Sequence, residues 1–227
     1  MDTILELQKI TLVTKDKTIL KNINLKVPKG ALLAILGESG SGKSTLLKVI
    51  DGWENPTSGR VLVTLGGTQV DITELPMNKR DIHLMPSNYE LFINKDARSN
   101  IAYGLKHKGM NMDEVDAEVA KLVEELELKG YEYSFSKDLS SGQQQRIAFA
   151  RTIIGKPSIL LLDQPFSTFN DRLRLLMQNI IKRYQEECCM TVIYTTHNKK
   201  SAYEFSDEVL TMKSGELMQN STKSDTN

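Results

Sequence analysis

The chain has 227 residues, 40% hydrophobic and 26% charged, a balance that fits a globular protein with an ample core. Lys plus Arg and Asp plus Glu both number 29, so net charge gives no support for a nucleic-acid or anionic-membrane partner. No apolar run approaches the roughly 18–20 residues of a membrane span. MDTILELQKI also lacks a basic-then-apolar leader pattern, so the sequence predicts membrane contact only through another protein.

In chain order, Leu5–Val13 and Thr18–Val27 read as two strands joined at Lys15-Asp16-Lys17, followed by a turn at Pro28-Lys29-Gly30. ALLAIL (31–36) reads as a buried strand, 43–50 as a helix, and Gly59–Leu65 and Ile82–Met85 as further strands. The segment 87–155 changes character and reads as mostly helical. Within it, Val115, Val119, Leu122 and Leu126 recur at helical spacing over Met112–Leu128, with Asn111 and Glu114 placed as a capping box. Then follow a buried strand, SILLLD (158–163), a helix over Arg172–Glu187, the strand TVIYTT (191–196), a short helix over Lys199–Phe205 and a closing strand over Glu208–Lys213. Strands alternating with helices predict a largely parallel sheet. The tail STKSDTN (221–227) is polar and predicted to be disordered. Cys188 and Cys189, neighbours without a spaced metal pattern, suit a reducing compartment and a structural role beside Met190.

GESGSGKST fills Gly37–Thr45 between a strand and a helix, with the P-loop spacing G-x-x-x-x-G-K-[ST]. Gly37, Gly40 and Gly42 let the backbone N–H groups, with those of Glu38, Ser39 and Ser41, close around phosphate oxygens. The helix N-terminus adds positive dipole there. Lys43 reaches the terminal phosphates, Ser44 offers a hydroxyl to Mg²⁺, and Thr45 completes the motif. Asp163 ends an apolar strand expected beside the P-loop strand, where a carboxylate can hold Mg²⁺ through water. The next residue is Gln164, which cannot accept a proton as a carboxylate does.

DLSSGQQQRIAFAR (138–151) opens another helix, with two candidate capping boxes, Ser140 with Gln143 and Ser141 with Gln144. Ile147, Ala150 and Ile154 would face inward. The free N–H groups and hydroxyls at its start suit either a phosphate or a plain helix cap.

With this segment, the chain resembles the ATP-binding subunits of ABC transporters, whose signature LSGGQ is here LSSGQ, continued as QQR. YTTHN (194–198), PTSGR (56–60), KPSILLLDQPFS (156–167) and the stretch 80–105 are similar to the patterns of importer ATPases of the sugar, polyamine and iron-uptake type. Such importer subunits often carry a C-terminal regulatory domain, for which this chain is too short. The resemblance implies an α/β P-loop NTPase fold with a mostly parallel sheet core, an N-terminal antiparallel β sub-domain and an inserted α-helical sub-domain. It implies one ATPase domain over 1–220, with core segments 1–86 and 156–220 and the helical sub-domain at 87–155. It also implies ATP and Mg²⁺ as cofactors and a head-to-tail pair with a second copy or a paralogous subunit. Ser140, Ser141, Gly142 and Gln143 would then meet the partner's nucleotide, and His197 the γ-phosphate in its own subunit. His83 and His107 read as ordinary surface or core residues. Separate transmembrane permease subunits would place the chain at the cytoplasmic face of the membrane, docked near Ser87–Ile101. Tyr89, Leu91 and Phe92 would serve there either as anchors or as packing of the helical sub-domain.

Four departures from the family pattern carry consequences. Gln164 stands where a glutamate polarises the attacking water, so slow hydrolysis is expected while ATP binding survives. Ser87 stands where a metal-contacting glutamine belongs and is short for that reach. Asn170, in Ser167-Thr168-Phe169-Asn170, replaces an aspartate that couples two sites. Thr14 stands where an aromatic stacks on adenine. The alternative activity is an ATP-binding regulatory or assembly module with little turnover. A soluble repair or translation protein would need a second fused ATPase domain or a long coiled-coil insertion, and DLSSGQQQR with YTTHN disfavours a small-molecule kinase.

Overall fold

The computed structural model describes residues 2–15, 17–106, 108–167 and 169–219. His107, Thr168 and the tail STKSDTN lie outside them. The hairpin of β1 (Thr3–Thr14) and β2 (Lys17–Pro28) is followed by β3 (Leu32–Leu36), α1 (Lys43–Asp51), β4 (Ser58–Leu65), β5 (Thr68–Asp71) and β6 (Ile82–Met85). Then come α2 (Ala97–Ala102), α3 (Met112–Glu125) and α4 (Ser141–Ile153). The chain continues through β7 (Ile159–Leu162), α5 (Asp171–Cys188), β8 (Thr191–Thr196), α6 (Lys199–Phe205), β9 (Glu208–Lys213) and β10 (Glu216–Gln219).

One sheet is antiparallel, in the order β2-β1-β4-β5; the other runs β10-β9-β3-β8-β7-β6 and is parallel except for the β9–β10 hairpin. The short apolar runs of the central strands work because both of their faces are covered. On β7, Leu160 and Leu162 enter the core shared with α3, α4 and α5, while Ile159 and Leu161 enter the core shared with α1 and the antiparallel sheet. β8 divides in the same way, with Val192 and Tyr194 on the first side and Ile193 on the second. Among the described residues no helix is long and apolar enough to cross a membrane.

Two strands escape sequence reading, and both follow tight turns. Gly66 (φ 56°) and Gly67 (φ 83°) connect β4 to β5, and Ser214 (φ 48°) and Gly215 (φ 84°) connect β9 to β10. Positive φ at both central residues matches the right-handed twist of a two-residue hairpin, so Gly-Gly and Ser-Gly were readable signals. Consequently β10, not β9, closes the sheet. The six-residue α2 is too short for a periodic pattern; its Asp96 cap accepts from the Ser99 N–H at 2.7 Å. In α3 the capping box of Asn111 and Glu114 forms in both directions. At α4 only the Ser140–Gln143 box forms, because Gln144 Nε2 turns back to the carbonyls of Ser136 and Leu139.

Cys188 and Cys189 do not pack as expected: both are exposed, Cys189 in a left-handed conformation (φ 50°) ending α5, and only Met190 is buried. Tyr89 and Leu91 pack against the helical core, and Phe92 meets the Tyr103 ring edge-on at 4.6 Å. All three side chains are only partly buried, so this packing leaves part of each at the surface. Arg151 braces the same turn by donating to the Tyr89 and Glu90 carbonyls.

The far end of α1 is held by a buried cation. Arg80 donates to the carbonyls of Val49, Ile50, Leu75 and Thr73 at 3.2, 2.8, 2.8 and 2.9 Å. Gly52 (φ 88°) ends the helix there, and a Cβ at Gly52 would lie 2.5 Å from Arg80 Cζ.

Candidate nucleotide site

The order β9-β3-β8-β7 brings the carboxyl ends of three strands to one edge of the sheet, where open α/β sheets place ligands. β3 delivers Gly37, β7 delivers Asp163 and β8 delivers His197. The expectation that Asp163 adjoins the P-loop strand needs correction: β8 lies between β3 and β7.

The loop from Gly37 to Gly42 is tightly seated. A Cβ at Gly37 would fall 2.4 Å from the Met212 carbonyl oxygen, and Gly42 caps α1 at φ 108° with no side-chain cap. The Gly37 N–H donates to the Thr196 carbonyl, and the Gly215 N–H to that of Ser41. Lys43, only 5% exposed, folds back over this loop. Its ammonium donates to the Gly37 carbonyl at 2.8 Å, the Glu38 carbonyl at 2.7 Å and Ser41 Oγ at 3.3 Å. Burial pulls the Lys43 pKa down, and the negative charge of Asp163 opposes that pull. Glu38, Ser39 and Gly40 form the exposed outer lip of the loop. The hydroxyls of Ser44 and Thr45 make no hydrogen bond to another described residue.

Asp163 is 4% exposed and its N–H donates to the Met85 carbonyl at 2.9 Å. Its Oδ1 accepts from Thr195 Oγ1 at 2.6 Å. The same Thr195 oxygen accepts from the Gln164 N–H at 2.9 Å. Thr195 was not singled out from the sequence. The available signal was strand alternation, which puts it on the α1 side of β8 with Ile193, one register step past the Leu162–Tyr194 pair.

Gln164 has φ 52°, a left-handed backbone uncommon for a non-glycine residue. Its side chain and that of exposed His197 both line a cavity of about 150 Å³ with Arg174, Thr196, Asn198 and Ser201. The two expected hydrolytic positions therefore do converge. The α4 start does not line this cavity. Ser140 and Ser141 are exposed, Gly142 and Gln143 half-buried. A Cβ at Gly142 would meet nothing within 4 Å. The link from α4 to the site is fully buried Gln145, whose Nε2 donates to the Pro165 carbonyl at 2.8 Å.

The remaining departures sit as follows. Ser87 is exposed just past β6, and Thr14 is exposed at the end of β1. Asn170 caps α5, accepting from the Leu173 N–H at 3.0 Å, a task asparagine performs as well as aspartate. His83 Nδ1 lies 3.0 Å from the Thr152 carbonyl, a structural contact.

Chemically, the edge offers a Lys-bearing amide loop for phosphates and a hard oxygen pair, the Ser44 hydroxyl and the Asp163 carboxylate, of the type Mg²⁺ prefers. Among the described residues no three His, Cys, Asp or Glu side chains gather to cage an ion, so phosphate oxygens and water would complete such a coordination shell.

Over 216 residues the chain is 40% identical to the spermidine/putrescine import ATP-binding protein PotA of Spiroplasma citri, covering 95% of this chain and 61% of that protein. It is 36% identical over 214 residues to the Fe(3+) ions import ATP-binding protein FbpC of Escherichia coli K12, covering 94% and 60%. The chain thus spans about three fifths of the length of these curated relatives. The ATP-binding cassette MJ0796, solved as a dimer in a post-hydrolysis state bound to ADP and Pi, superposes with a TM-score of 0.86 at 27% identity, over 96% of this chain and 98% of that one. Residues 20–167, from the second strand through the loop beyond Asp163, match the ABC transporter family, and the chain belongs to it.

Proposed function

We propose that this chain is the ATP-binding, energy-coupling subunit of an ABC importer. It binds Mg²⁺-ATP at a head-to-tail interface with a second cassette and drives separate membrane subunits. The observation that carries this reading is the convergence of the Lys43 loop, Asp163 and His197 at one sheet edge, with the signature start exposed on α4. ATP phosphates replace the loop carbonyls as partners of Lys43, and Ser44 and Asp163 would hold Mg²⁺, which would supply charge neutralisation at the terminal phosphates. Ser140, Ser141 and Gly142 present N–H and O–H donors to the γ-phosphate held by the partner cassette. Gln164 can orient a water but cannot take its proton, so turnover is slow and the closed, ATP-bound pair persists. The names of PotA and FbpC place import of polyamines and ferric ion among the activities of relatives, and an import role extends that description to this chain.

A second reading, an ATP-binding regulatory or assembly module without turnover, is favoured by the amide at position 164 alone. The two part on whether any hydrolysis accompanies reconstitution with the membrane partner.

Gly142→Asp tests the shared interface. A side chain there has open space in its own chain, and an aspartate in the first turn of a helix is stabilising. Its charge would confront the partner's γ-phosphate. The expected result is unchanged melting and unchanged ATP binding by the monomer, with loss of the ATP-induced dimer on size-exclusion chromatography. A Gly142→Asp protein that dimerises like the parent would remove the signature from the interface.

A further inference from the structure

We propose that Thr195 is a positioning residue that locks the metal-binding carboxylate to the residue facing the attacking water. This rests on the nucleotide-binding reading above. β8 separates the P-loop strand from the strand carrying Asp163, so whatever β8 places at that level becomes the spacer between cradle and carboxylate. The run VIYT alternates, and the α1 side of β8 carries Ile193 and then Thr195. A hydroxyl in this position is costly unless its hydrogen-bonding capacity is used. Here Thr195 is completely buried and its oxygen works in both directions. It donates to Asp163 Oδ1 at 2.6 Å and accepts from the Gln164 N–H at 2.9 Å. No other hydrogen bond from a described residue reaches the Asp163 carboxylate, so Oδ2 remains for a ligand.

Two consequences follow from this single oxygen. The carboxylate rotamer is fixed, which pre-orients Oδ2 instead of leaving the nucleotide-bound cation to select it. The backbone at position 164 is held in its left-handed conformation, with φ 52°. A group on that residue is therefore aimed from the same anchor as the metal ligand. Thr195 has no exposed surface of its own, and it acts through Asp163 and residue 164, as outer partners of metal ligands do.

The test uses the full chain and a fluorescent ATP analogue, titrated with and without Mg²⁺. The quantity read is the affinity gain that Mg²⁺ confers. Thr195→Val keeps the shape and removes the hydroxyl; Thr195→Ala removes it without overpacking; Thr195→Ser keeps the hydroxyl and loses the methyl. Val and Ala are expected to lower the Mg²⁺-dependent gain about tenfold, the low end of the effect of outer-shell partners. Metal-free ATP binding, set by Lys43, should not change, and Ser should retain the gain within about twofold. A merely structural hydroxyl would lower the melting temperature and leave the Mg²⁺ gain intact, and that result overturns the proposal. So does a Ser variant as impaired as Val, which would assign the effect to packing. A parent chain that binds ATP no better than Lys43→Ala would instead sink the nucleotide-binding reading, and the role of Thr195 with it.

Discussion

Gln164→Glu should raise Mg²⁺-ATP turnover by about 10² or more, measured beside the parent with Lys43→Ala as the blank. The substitution is nearly isosteric. The Gln164 side chain makes no hydrogen bond to a described residue, so a carboxylate there forfeits no partner. The backbone that aims it is already held by Thr195. The cavity it shares with His197 has a mostly polar lining, and a water held there would gain a proton acceptor. General-base removal typically costs about 10²–10⁴ in rate, and supplying the base returns that range only if the rest of the site is competent. A Glu variant that binds ATP yet turns over no faster would move the block to Ser87 or Asn170. A parent that already turns over at family-like rates would show that another group activates the water.

Arg80→Ala should cost about 3–5 kcal/mol of stability, read from urea denaturation. Four carbonyl oxygens lose their donor at once, two of them at the end of the P-loop helix. Asp51, buried beside that guanidinium, loses the cation that opposes its desolvation. Arg80→Lys should recover little, because one ammonium cannot reproduce the fork that spans these carbonyls. A loss below about 1 kcal/mol would mean that water replaces the guanidinium easily.

The same pair gives a pH signature. Burial pushes the Asp51 carboxyl up to about 7, against the pull of Arg80. The folded pKa lies above the unfolded value, so the folded state holds a proton that the unfolded chain releases near pH 4. The stability tied to that proton is full below about pH 4 and is lost as pH rises through 7. Asp51→Asn has no such term. Its stability relative to the parent should therefore climb across that window, by about 1.4 kcal/mol per unit at most. A constant difference from pH 4 to 7 would contradict the raised carboxyl.

The fold was legible wherever local chemistry and burial agreed. β7 is apolar throughout and β8 is buried from Thr191 to Thr195 because both faces are covered, and their bounds could be read closely. The strands after Gly67 and Gly215 were missed because each is a four-residue edge strand with one or two apolar residues, while the information sat in the turns. In the site, the GESGSGKST spacing is contiguous and so is visible. Thr195 is not, since its meaning depends on β8 lying between two strands distant in sequence. The same holds for Gln145, a helix residue whose partner is the Pro165 carbonyl. Cys188 and Cys189 misled because cysteine is usually buried, whereas the helix end here turns outward.

The ammonium of Lys43, already held by two carbonyls and a hydroxyl, makes nucleotide arrival an exchange rather than an addition. The cradle stands folded before its guest comes, so little ordering entropy is spent at the moment of binding. For Lys43 each phosphate contact displaces one already made, whereas the Ser44 hydroxyl gives up no partner. On the proposed function, ATP meets a loop that is already seated, and the step it must accomplish is the release of Lys43 from its three contacts.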